Sequence, residues 1–104
     1  MRNSEQIRSD YRSLKNECIQ AITELIKQTG KDEYEFQELA PNVAYWNEWG
    51  DGWECEIISK ICLNPEGEIS LIFNHHDYDL DWTDIHHGEW IYILEQLESE
   101  LFNQ

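Results

Sequence analysis

The sequence predicts an α+β fold of one domain over residues 1–104. An N-terminal helix, an antiparallel sheet of four to five strands in a meander and a C-terminal helix follow in order, both helices on one face of the sheet. Three observations predict it. Ile7, Tyr11, Leu14, Cys18, Ile22 and Leu25 recur at spacings of three and four, one stripe of an amphipathic helix. A second stripe, Trp90, Ile91, Leu94, Leu97, Leu101 and Phe102, marks another helix over 88–102. Between them, extended runs are punctuated by Gly50-Asp51-Gly52 and Asn64-Pro65-Glu66-Gly67, which are turn signals. Two helical stripes can share one sheet face and leave the other to solvent.

The first helix spans Glu5 to Thr29, with Ser4 as N-cap and Gly30 where a left-handed residue ends a helix. Arg8, Arg12 and Lys15 lie at i, i+4 and i+7 and form a basic flank beside the stripe. The flank is expected to pair with the acidic sheet or with Glu5 and Glu17, rather than with an external anion. Tyr34, Phe36 and Glu38 alternate with Glu33, Glu35 and Gln37 in a short strand that Ala40-Pro41-Asn42 interrupts, because proline donates nothing to a ladder. Val43 to Trp49 is a second strand, joined through Gly50-Asp51-Gly52 to Trp53–Leu63.

Burial selects the register of the next hairpin, Trp53–Leu63 with Ile69–His75. Pairing Leu63 with Ile69, Ile61 with Leu71, Ser59 with Phe73 and Ile57 with His75 collects Trp53, Cys55, Ile57, Ile61, Leu63, Ile69, Leu71 and Phe73 on one core face. That leaves a five-residue connection with Gly67 in a left-handed or bulged position. Tyr78, Leu80 and Trp82 then alternate with Asp77, Asp79 and Asp81, the pattern of a charged edge strand. Thr83 or Asp84 would cap the first turn leading to the last helix.

Charge narrows the function. The net charge is −15, from 7 basic and 22 acidic residues. Residues 1–31 carry six basic and four acidic groups, net +2; residues 32–104 carry Lys60 alone against eighteen acids, net −17. That field repels phosphate backbones, so direct nucleic-acid binding is disfavoured. It attracts basic proteins and speeds encounter with them. No apolar run is long enough to span a membrane and the first residues lack a signal peptide's apolar core. Three cysteines, an odd number, suit reduced thiols in a cytoplasm. Cys55 and Cys62 on one strand stand about 23 Å apart, beyond disulfide reach.

Two sets of residues compete for the site. Tryptophans beside carboxylates receive arginine and lysine through stacking and ion pairing. Trp46, Glu48, Trp49, Asp51, Glu54, Asp77, Asp79, Asp81 and Trp82 are the candidate partner-binding residues, with Trp46 and Trp49 the expected exposed pair. The alternative is a metal site in residues 75–87, where all four histidines lie among four aspartates. Adjacent histidines diverge, on a strand to opposite faces and on a helix by about 100 degrees, so one of each pair would serve: His75 and His86 with Asp77 or Asp84. No HExxH, HxH or CxxC motif accompanies them. No phosphate-binding glycine loop is present, Cys18 and Cys55 read as buried thiols, and no cofactor is expected. The sequence thus reads as an acidic, non-enzymatic interaction protein for a basic protein partner, in an inhibitor, immunity-type or adaptor role, with DNA-charge mimicry as a special case. A small metal-dependent enzyme is the competing class, and homodimerisation through a strand edge or Trp-rich surface a third.

Overall fold

In the computed structural model, residues 3–46, 52–73, 85 and 87–102 are described. The order is α1 (Ser4–Gln28), β1 (Glu33–Glu35), β2 (Asn42–Trp46), β3 (Trp53–Leu63), β4 (Ile69–Phe73) and α2 (His87–Phe102). The class is α+β, as the two stripes and the strand punctuation predict. The fifth strand expected at 78–82, and its capping residues Thr83 and Asp84, lie outside the described residues.

α1 begins one residue earlier than its stripe suggests. Asn3, not Ser4, is the N-cap: its side chain accepts from the Gln6 N–H at 2.9 Å, and the Gln6 side chain accepts from the Asn3 N–H at 2.9 Å. This reciprocal box satisfies donors that a serine cap alone would leave open. At the other end the Thr29 N–H reaches the Ile26 carbonyl, and Gly30 follows at φ 76°. Gly30 donates to the Lys27 carbonyl at 3.0 Å, a left-handed ending that costs glycine little.

β3 organises the sheet, pairing antiparallel with all three other strands among the described residues. Glu33–Glu35 lies against Cys62–Lys60, and Asn42–Trp46 against Ile57–Trp53. β1 and β2 therefore follow one another along β3 like one strand that leaves the ladder and returns. The Phe36 N–H still reaches the Ser59 carbonyl at 3.0 Å, and the Pro41 carbonyl accepts from the Ile58 N–H at 2.9 Å. Proline keeps its acceptor while lacking a donor, so it can close the excursion. Tyr45 also bridges antiparallel to Ile85.

The β3–β4 hairpin has the expected five-residue connection. Leu63 pairs with Ile69 and Ile61 with Leu71, and Gly67 sits at φ 89°. The Asn64 side chain accepts from the N–H groups of Glu66 and Glu68, which fixes the turn. Beyond Lys60 the expected register fails. Phe73 stands opposite Ile58 instead of Ser59, because Ser59 is an extra residue in β3, a bulge. Its hydroxyl donates to the Ile72 carbonyl at 3.0 Å. One extra residue exchanges the two faces of everything before it. Trp53, Cys55 and Ile57, expected on the core face, therefore lie on the opposite one, and Ile58 turns inward.

One core results. Cys18, Ile22 and Ile26 of α1 and Trp90, Ile93 and Leu97 of α2 close over Val43, Tyr45, Ile58, Ile61, Leu71 and Phe73 of the sheet. Both helices thus cover one sheet face. α2 is rotated from its expected stripe: Ile93 is fully buried, whereas Phe102 is exposed. The first turns of α1 extend past the core. Every residue from Asn3 to Ser13 is exposed, Ile7 and Tyr11 included.

Candidate interaction surface

The sheet face away from the helices carries the most accessible aromatic surface among the described strands. Trp46 ends β2 and Trp53 starts β3, and they are direct cross-strand partners. Their rings meet edge to face, centroids 5.1 Å apart at 79°. This geometry favours the indole quadrupoles and holds both rings without burying either. Trp46 is 37% and Trp53 53% exposed. Cys55 and Ile57 continue the same face, paired with Ala44 and Asn42, and Cys55 is exposed.

Further along the same face the chemistry changes to charge. Glu33 and Glu35 pair with Cys62 and Lys60 across the ladder, and both glutamates are exposed. Lys60 donates to the Glu33 carboxylate at 3.2 Å, and that bond with its charge holds the ammonium pKa above its ordinary value. The Cys62 Sγ lies 3.9 Å from the same carboxylate. An apolar, aromatic end and an acidic end therefore share one surface.

Trp46 and Glu54, both read from the sequence as partner-binding residues, fall on opposite faces. Glu54 pairs with Tyr45, whose ring is buried against Phe73 and whose hydroxyl donates to the Glu54 carboxylate at 3.0 Å. Trp53 takes the place beside Trp46. Glu48, Trp49, Asp51, Asp77, Asp79, Asp81 and Trp82 lie outside the described residues. So does the metal set His75, Asp77, Asp84 and His86. Among the described residues no group of three or more His, Cys, Asp or Glu side chains is placed to hold a metal ion.

A second polar site went unread in the sequence. Glu100 of α2 is only 7% exposed, and its carboxylate faces the excursion between β1 and β2. It accepts from the Tyr34 hydroxyl at 2.6 Å and from the N–H groups of Gln37, Glu38 and Leu39 at 2.6–3.1 Å. Leaving the ladder would strand those three donors, and one carboxylate satisfies them all. Burial pushes the Glu100 pKa up, but the Tyr34 hydroxyl and the three backbone donors outweigh it and hold the carboxyl below its ordinary value. Burial, then the bond and charge of Glu100, push Tyr34 up to about 12. With its two oxygens taken by these four donors, the Glu100 carboxylate anchors the excursion to α2. The signal was present: Ile93, Leu97 and Glu100 stand at i, i+4 and i+7, a charge on the core stripe.

Two further groups are accounted for by packing. The Lys15 ammonium lies 5.8 Å from the centre of the Trp90 ring, a cation–π contact between the two helices. Burial, then the Glu17 charge, push the Cys18 thiol pKa up, which suits an inert core residue. No protein-family model, curated protein or solved structure matches this chain. No helix among the described residues is long and apolar enough to cross a membrane.

Proposed function

We propose that this chain is an acidic interaction protein that binds a basic protein partner through the outer face of its sheet. The observation that carries the reading is the exposed Trp46–Trp53 pair. Large aromatic side chains at a surface are the commonest anchors of protein interfaces. Their faces accept guanidinium and ammonium groups, and the remaining negative field of residues 32–104 favours cationic partners. Glu33 and Glu35 would engage further cations along the same surface. Binding without chemistry fits an inhibitor, immunity-type or adaptor role in the cytoplasm.

The test is a fluorescence titration with an arginine-rich and a length-matched acidic peptide. The arginine-rich peptide is expected to bind, to lose affinity as salt is raised, and to bind Trp53→Ala on the order of tenfold more weakly. Equal binding of both peptides, or indifference to Trp53→Ala in a folded variant, sinks the reading.

A further inference from the structure

The excursion between β1 and β2 does more than touch α2; its donors are arranged as a receptor. The N–H groups of Gln37, Glu38 and Leu39 are consecutive, and all three reach the Glu100 carboxylate. Successive backbone N–H groups turned to one point form the concave nests that bind anions. Both carboxylate oxygens are used. Oε1 accepts from the Tyr34 hydroxyl at 2.6 Å and from Gln37 at 3.0 Å. Oε2 accepts from Glu38 at 2.9 Å and from Leu39 at 2.6 Å, with Gln37 shared at 3.1 Å. No cation is among the groups that lower the Glu100 pKa, so hydrogen bonds from neutral donors hold the charge against its burial. Every donor lies 61–66 positions before the anion. Receptor and ligand are thus separate pieces of chain, and only the methylenes of one side chain tether the ligand to α2.

We propose that residues 34–39 form a carboxylate-binding site whose resident ligand is the Glu100 side chain, and that the site takes a free carboxylate when that side chain is cut back. The ligand class follows from the donors. Hydrogen bonds divided between two oxygens select a planar two-oxygen anion over a spherical halide. Neutral donors within the −17 segment of residues 32–104 favour a monoanion over phosphate or sulfate. Glu100→Ala keeps Cβ and vacates the space of a methylene and its carboxylate, which is that of acetate. In the intact chain the tether holds Glu100 in the site at high effective concentration, so free acetate is excluded.

Urea unfolding of full-length Glu100→Ala at neutral pH, in sodium acetate and in sodium chloride of equal ionic strength, tests the site. A ligand that binds only the folded form raises the folded-to-unfolded ratio on the order of a hundredfold when present at about a hundred times its Kd. The expected result is a midpoint that climbs with acetate beyond its chloride control. Wild type should show equal midpoints in the two salts. Glu100→Ala/Tyr34→Phe, one donor short, should climb less than Glu100→Ala at the same acetate concentration. If Glu100→Ala is unfolded in chloride, acetate is expected to fold it, read by far-UV circular dichroism. Equal midpoints for Glu100→Ala in both salts, or a chain that neither salt folds, overturns the proposal. So does an acetate effect as large in wild type, or one that removal of the Tyr34 hydroxyl leaves unchanged.

Discussion

The Tyr34 hydroxyl and the Glu100 carboxylate, 66 residues apart in the chain, are joined by a 2.6 Å hydrogen bond. This bond ties β1 to the last turns of α2. It is one of the contacts through which Glu100 also holds the backbone of Gln37, Glu38 and Leu39. The excursion between β1 and β2 thus exchanges ladder partners for a single buried anion. Hydrogen bonds to a charged acceptor are the strong ones, and an orphaned buried donor costs more than a typical bond contributes.

Glu100→Ala should therefore destabilise the fold by about 3–5 kcal/mol, since it strands three backbone donors and a phenol at once. Tyr34→Phe removes one donor and leaves the carboxylate three others, so about 1–2 kcal/mol is expected. Glu100→Gln keeps the shape but offers one oxygen instead of two, and should fall between them. Urea unfolding of the three variants checks the order. A loss from Glu100→Ala no larger than that from Tyr34→Phe would show that the anchor is dispensable.

The same site sets a pH dependence at both extremes. Glu100 has a folded pKa below its unfolded one, so its contribution is present above the ordinary glutamate range and lost as pH falls through the folded value. Tyr34 is shifted the other way. Its contribution is full below the ordinary tyrosine value and is lost as pH rises through about 12. Denaturation midpoints should decline in acid for the wild type and less steeply for Glu100→Gln. In alkali, Tyr34→Phe should flatten the decline. Identical acid slopes for wild type and Glu100→Gln would contradict the assignment.

Thiol chemistry reports the bulge. With Ser59 inserted, Cys55 is exposed on the outer face, while Cys18 is buried with its pKa raised. An aromatic disulfide reagent should label Cys55 rapidly in the native protein and Cys18 only on unfolding. Deleting Ser59 would restore simple alternation and turn Cys55 and Trp53 toward the core. The deletion variant should either label slowly at Cys55 or lose its cooperative transition. A folded deletion variant with unchanged Cys55 labelling would show that the bulge does not set the face.

The elements themselves were legible because each rests on local chemistry. The two helices, the Gly30 ending and the Asn64–Gly67 turn are short-range patterns, and the structure keeps them, although α2 is rotated from its expected stripe and α1 buries only the C-terminal part of its own. The register near the turn was legible too, since Leu63–Ile69 and Ile61–Leu71 follow from turn length and burial. Cap geometry was not: Asn3 and Ser4 are both good caps, and the Gln6 side chain decides between them.

What the sequence by itself determined is the fold class, the order of elements and the division of charge between residues 1–31 and 32–104. Tertiary structure decided which face each residue serves. A bulge is one residue in a ladder, invisible in an alternation of apolar groups, yet it moves Trp53, Cys55 and Ile57 to the outer face and brings Ile58 inward. Burial of Glu100 likewise depends on donors 61–66 positions away, a distance over which no sequence period carries information. The tryptophan face of this protein exists because one inserted serine turns Trp53 outward, to the side where the alternation of β2 already places Trp46.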